Sequence, residues 1–372
     1  MTMVHHSAEK YDVAASAAAA FARTKFDAII AKGYQSLQAT LERIDADVPQ
    51  DKLVPYQKMS FGVDAGRVIL DHPDADGGQI SRPLHRHALK QVAARADVPK
   101  LFAERLLAGS TRQQELLAYN LNELLAQDPD RALVRYVNEE ARGVLSDKYK
   151  RMDSNRLIHA LLESAGEYGA IPIEGTYLET RTACKIVLPY IFEPVPNEVM
   201  IYGLAWGNSE FGDGAYWVRS FVNRLWCTNM ATLEEELRKV HLGKRLGEDV
   251  SWSDATHQLD SATLVSMTKD IVGKVLHPDR VKTTMSMIAK ANEEKVDPRQ
   301  IAAFFKKHLR ADEGKQATEI FASADVENLP PGQTTWRLSN ALSFLAGNAQ
   351  DAGRRLELQE IAGLALKEKI AA

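Results

Sequence analysis

The sequence predicts an α+β fold: a central, mainly antiparallel sheet packed with helices, between helical N- and C-terminal regions. Three observations predict it. Residues 176–192 and 198–206 alternate, are rich in β-branched and aromatic side chains, and are punctuated by Pro189, Pro194 and Pro196, as strands of a sheet core are. The stretches before residue 45 and after Thr232 space their apolar residues three and four apart, as helices do. No Gly/Ser-rich linker divides the chain, so the expected organisation is a helical region over 1–54, an α+β core over 55–245 and a helical region over 246–372.

Taken in order, residues 7–44 are Ala-rich and free of Pro, with Phe21, Phe26, Ile29, Leu37, Leu41 and Ile44 at helical spacing, and predict one long amphipathic helix with a break at Gly33. Residues 58–70 predict two short strands around the turn Asp64-Ala65-Gly66. Helical spacing returns over 84–107 and 111–125, the second run opening on Thr111 and Gln114 as a capping box. Strand and turn over 131–149 precede a short helix over 154–165, capped by Asp153 or Ser154. Beyond the polar turn 207–214, residues 215–227 fit a strand by aromatic content and a helix by the spacing of Trp217, Phe221 and Leu225; strand first and helix later is the expectation. Thr232 with Glu235 reads as a capping box for a chain helical to its end, with Asp297 and Pro298 opening one of its helices.

The chain has 372 residues, with 46 Lys and Arg against 50 Asp and Glu, and the formal charge of −4 excludes a uniformly cationic coat. Two cysteines, Cys184 and Cys227, are too few for a disulfide framework, and both sit in apolar stretches where a thiol behaves as a small hydrophobe. The Ala-rich run 14–20 is too short, and too charged at its flanks, for a signal peptide. No run approaches the roughly 18 apolar residues a membrane helix needs. A reducing cytosol is the expected setting. A serine-nucleophile elbow, a phosphate-binding P-loop and a His-Glu-x-x-His pair are all lacking from the sequence, so neither an enzyme nor a cofactor is expected.

Charge placement suggests binding instead. Arg142, Lys148, Tyr149, Lys150 and Arg151 form a basic cluster, with Arg131, Arg135 and Arg156 nearby; on an extended segment Lys148 and Lys150 share a face that tracks phosphates, while Tyr149 points the other way. The alternative is a solvated loop whose cations pair with Glu139, Glu140, Asp147 and Asp153. Trp217, Arg219, Phe221, Arg224 and Trp226 interleave rings and cations as single-strand binding surfaces do, although such rings equally seal a sheet against a helix. Arg238, Lys239, His241, Lys244 and Arg245 make a third basic patch, or simply complement a helix C-terminus. The loop 71–77 and the His85-Arg86-His87 run tempt a metal reading. A calcium loop starting at Asp74 would place Gly78 at a ligand position and lack its closing Glu, so a turn is expected there. The turn Asn208-Ser209-Glu210 with Asp213 either carries acid–base or metal chemistry or is a tight turn needing its glycines.

Two blocks, 141–153 (ARGVLSDKYKRMD) and 208–243 (opening NSEFGDGAYWVRSF), resemble a phage/plasmid-like domain-of-unknown-function family, with weaker similarity over most of the chain. Met230 follows Asn229 where that family usually has Gly. The resemblance implies a protein of a bacterial mobile element, and by analogy of outline a single-strand annealing protein of the Rad52-like kind. The expectation is therefore an ATP-independent single-stranded DNA binding and annealing protein, acting in recombination or replication as a homo-oligomer in the host cytoplasm. Arg142, Lys148, Tyr149, Lys150, Arg151, Arg219 and Arg224 would contact DNA, and host replication or recombination proteins would be its further partners. The alternative is a structural or host-interaction protein that binds no nucleic acid.

Overall fold

The computed structural model of the chain describes residues 17–74, 76–196, 198–225, 230–239, 253–323 and 329–368. Its architecture is α+β with antiparallel sheets, as the sequence predicts. The long first helix, α1 (Ala17–Ala46), runs unbroken through Gly33. Gly33 is where the helix meets a strand backbone: a Cβ there would lie 2.3 Å from the Ile173 Cα and 2.5 Å from the Pro172 oxygen. The residue that suggested a break is a close-approach site.

A smaller lobe follows. Strands β1 (Gln50–Pro55), β5 (Arg131–Val137) and β6 (Glu140–Ser146) pair antiparallel in the order β1-β5-β6, and β2 (Ser60–Asp64), β3 (Arg67–Pro73) and β4 (Gln79–Pro83) form a second sheet. The predicted hairpin is β2–β3, and its turn has Ala65 at φ 46° and Gly66 at φ 77°, the two positive values a type I′ turn requires. The helical run 84–107 divides into α2 (Arg86–Arg95) and α3 (Lys100–Leu107), because Asp97 takes φ 52° and Pro99 stands just before α3. Helix α4 (Thr111–Leu125) opens with the capping box one residue earlier than expected, Ser110 N donating to Gln113 Oε1 at 2.8 Å. Leu117, Leu121 and Leu125 from α4 meet Leu70 and Val92 in this lobe's core.

The larger lobe is built on a third antiparallel sheet, order β12-β11-β10-β8-β7, from β7 (Ile171–Tyr177), β8 (Thr182–Val187), β10 (Glu198–Asn208), β11 (Tyr216–Arg224) and β12 (Met230–Lys239), with β9 (Phe192–Val195) pairing β10. Strand β10 is buried along its whole length, and its period of two sorts the core. Val199, Ile201 and Ala205 face the Ala22 and Phe26 side of α1, whereas Met200, Tyr202, Leu204 and Trp206 face a helical layer. That layer contains α5 (Ser154–Gly166), α6 (Asp254–Leu276), α7 (Pro278–Glu293), α8 (Pro298–His308), α9 (Ala311–Ala322), α10 (Thr335–Gly347) and α11 (Ala352–Leu364). Asp297 caps α8 as expected, accepting from Arg299 N at 2.8 Å.

Two sequence expectations fail in this lobe. Segment 216–224 is strand throughout, with no helix among its described residues, and the Thr232 to Glu235 segment is strand β12 rather than a helix start. The outer edge of β11 needs a partner, and Gly363 of α11 packs so tightly on β12 that a Cβ would lie 1.7 Å from the Thr232 oxygen. Tertiary pairing overrides the helical propensity of its Leu and Glu residues.

Candidate functional site

The two blocks that carry the resemblance meet in space, and the joint between the lobes is made of them. After β6 the chain turns at 147–149 instead of continuing as a strand, so Lys148 and Lys150 do not line one face of an extended segment. Tyr149 is buried there, its hydroxyl donating to the Ser209 oxygen at 3.0 Å and accepting from Gly212 N at 3.2 Å. Asn208 donates to the Met152 oxygen at 2.7 Å and to Ser154 Oγ at 3.0 Å. From α2, Gln91 donates to the Phe211 oxygen at 2.7 Å and accepts from Val144 N at 2.9 Å, so the 208–214 turn plugs into the smaller lobe.

Arg135 is the electrostatic centre of the joint. It is 1% exposed, and its guanidinium reaches Asp51 at 2.8 Å, Asp153 at 2.6 Å and the Glu210 carbonyl at 2.9 Å. Arg151 shares Asp51, with Nε 3.1 Å from it. Burial, with Asp153 beside it, pushes the Glu210 carboxyl up to about 7 against the pull of Arg135, while the same carboxylate accepts from Ser154 N at the start of α5. Asp213 is bound by Arg181 and by Thr180 at 2.9 Å. The backbone of this polar turn, through the Ser209, Glu210 and Phe211 carbonyls and Gly212 N, joins the smaller lobe, while its Glu210 and Asp213 side chains bond Ser154, Thr180 and Arg181 of the larger one.

The remaining predicted cations are engaged in the same way. Arg142, on β6, donates to Asp47 at 2.8 Å and to the Tyr177 hydroxyl at 2.9 Å, and Asn138 donates to the other Asp47 oxygen at 2.7 Å. Burial alone would raise the Asp47 carboxyl, but the hydrogen bonds from Tyr177 and Arg142 outweigh it and hold that carboxyl below its ordinary range. Arg224 makes a two-pronged pair with Glu198, at 2.6 and 2.7 Å, and Trp336 Nε1 donates to the same carboxylate at 3.1 Å. Arg219 lies 2.7 Å from Glu360 and 4.4 Å from the centre of the Trp217 ring. Five positions apart on β11, Arg219 and Arg224 leave opposite faces of the sheet. Lys150 reaches Asp260 of α6 at 2.6 Å. Lys148, half-buried, makes no ion pair with the described residues.

The predicted DNA-binding set is therefore not one groove. Arg142, Tyr149 and Arg224 are buried, and Lys150, Arg151 and Arg219 each face a carboxylate; none of these six is presented as a phosphate contact. The physical reason is long-range charge pairing: buried guanidinium groups need carboxylates to offset desolvation. Asp51 lies 84 positions from Arg135, and Asp47 lies 95 from Arg142, distances at which no local spacing in the sequence announces a pair. Trp226, Cys227 and Asn229, and His241, Lys244 and Arg245 of the third basic patch, lie outside the described residues. Burial drives the Cys184 thiol well above its ordinary range, so it is no nucleophile at neutral pH.

Among the described residues no group of three or more His, Cys, Asp or Glu is placed to hold a metal ion, and no helix is long and apolar enough to cross a membrane. An open groove of about 630 Å³ runs between α5 and α6, lined by Arg156, His159 and Lys269. His159 lies 3.2 Å from Asp45, and Lys269 2.6 Å from Glu163, so carboxylates offset part of its positive charge. Comparison with family models, with curated proteins and with solved structures finds no match.

Proposed function

We propose that this chain is a phage- or plasmid-encoded structural or host-interaction protein, working through protein contacts in the host cytoplasm rather than through chemistry or capture of a polynucleotide. The observation that carries this reading is the neutralisation of buried arginines: Arg142 and Arg224 by the buried carboxylates of Asp47 and Glu198, and Arg135 by the partly buried Asp51 and Asp153. A guanidinium sealed against Glu198 or Asp47 cannot release counterions from DNA. The mobile-element origin in this reading rests on the residue pattern of the two blocks, 141–153 and 208–243, alone.

Single-stranded DNA binding is the second reading, and one observation favours it. The α5–α6 groove presents Arg156, an exposed cation with no ion pair among the described residues. Fluorescence anisotropy of a labelled oligonucleotide separates the two. The interaction reading expects no binding at low salt. A tight complex whose affinity falls steeply with salt, and is lost in Arg156→Glu, would overturn it in favour of the groove.

A further inference from the structure

The smaller lobe carries an unusual surface. Of its exposed large apolar side chains, Leu53 lies on β1, while Leu101 (81% exposed), Phe102 (45%), Leu116 (48%), Tyr119 (60%) and Leu124 (54%) belong to the α3–α4 hairpin. Grouping of this kind marks a contact surface more often than scattered single residues do. On α4 the inward face is Gln114, Leu117, Ala118, Leu121 and Leu125. Asn122 locks the rotation of the helix: its amide donates to the Phe61 oxygen and accepts from Phe61 N, both at 2.8 Å.

Opposite that buried face runs the stripe Arg112, Leu116, Tyr119 and Glu123, all exposed. Its steps of four, three and four are the spacing of a helix–helix seam. The order of its residues is also self-complementary. About the midpoint of the stripe, between Leu117 and Ala118, Arg112 and Glu123 lie equally far on either side, as do Leu116 and Tyr119. Neither Arg112 nor Glu123 has an ion pair among the described residues.

We propose that α4 is the interface of a symmetric dimer, in which α4 of a second copy of this chain packs antiparallel across this stripe. This names the partner of the protein-contact reading above and rests on it. A two-fold axis at the helix midpoint makes each Leu116 meet the partner's Tyr119 and each Arg112 meet the partner's Glu123, so every contact occurs twice. A parallel arrangement sets Arg112 against Arg112 and Glu123 against Glu123, and charge alone selects the antiparallel one. Fifteen residues of helix span roughly 22 Å.

Light scattering on the full-length chain tests this, at concentrations up to about 100 μM, enough to populate a dimer whose Kd is micromolar or tighter. The wild type is expected at twice the 41.3 kDa chain mass. Arg112→Glu and Glu123→Arg each place like charges across the axis twice, and each is expected to weaken the dimer at least tenfold. The combined Arg112→Glu/Glu123→Arg variant is expected to restore it to within about threefold, because the pair is exchanged rather than removed. Both positions are exposed, and circular dichroism checks that the variants stay folded. A monomeric wild type, or a dimer indifferent to the single reversals, overturns the proposal. A monomer that still engages another protein through α3–α4 overturns the dimer alone, whereas a monomer that binds oligonucleotide in a salt-dependent way overturns the protein-contact reading as well.

Discussion

Replacing Glu198 with Leu is the sharpest perturbation of the buried charge network. The side chains of Arg224 and Glu198 are 3% and 8% exposed, and their two hydrogen bonds of 2.6 and 2.7 Å are supplemented by the one from Trp336. Glu198→Leu takes both carboxylate oxygens from the guanidinium and the acceptor from the indole. Breaking a buried pair from one side costs about 3–5 kcal/mol, a large share of the ~5–15 kcal/mol that holds an ordinary domain folded. Arg224→Met together with Glu198→Leu removes both charges, so it should recover at least about 2 kcal/mol of that loss, a coupling that a double-mutant cycle measures. Urea unfolding followed by tryptophan fluorescence reads the stabilities. If the two substitutions simply add, or if Glu198→Leu costs less than about 1 kcal/mol, the pair is not the sealed unit described here.

Two carboxyls predict opposite pH dependences. Asp47 is held below its ordinary value of 3.8, so its contribution is present above that pH and is lost as pH falls towards the depressed folded value; Asp47→Asn should be less stable than wild type at pH 7 and lose less on acidification. Glu210 is raised to about 7, so its folded state binds the proton more tightly and stability falls as pH rises from the ordinary carboxyl value of 4.5 through 7; Glu210→Gln should abolish that decline while still accepting from Ser154 N. Thermal melts between about pH 2 and 8 check both. Gly33→Ala should destabilise by about 1–3 kcal/mol through the clash with Ile173, opposite in sign to the roughly 1 kcal/mol gain that helix propensity alone predicts. A Gly33→Ala variant as stable as wild type would remove the close-approach account of α1.

Local chemistry was legible where local chemistry decides the structure. The β2–β3 turn follows from Asp64-Ala65-Gly66, the α8 start from Asp297-Pro298, and β10 from its β-branched and aromatic residues Val199, Ile201, Tyr202 and Trp206. Strand β12 was not legible, since its Leu and Glu residues favour a helix and only the β11 edge and the Gly363 contact make it a strand. The same limit governs the site. Arg142, Arg219 and Arg224 are visible as cations in the sequence, but their carboxylates come from Asp47, Glu360 and Glu198 on other elements, and only folding reveals that those charges are already paired. In the sequence Arg135 is only a neighbour of the basic cluster; in the fold it is the centre of the joint.

Arginine-directed labelling of the native protein with a dicarbonyl reagent, read residue by residue by mass spectrometry, tests the central claim most directly. Arg135, Arg142 and Arg224 should stay unmodified until the chain is unfolded, while Arg156 and Arg299 react in the native state. Native-state labelling of Arg142 or Arg224 as fast as that of Arg156 would contradict the account and return these side chains to the list of phosphate contacts.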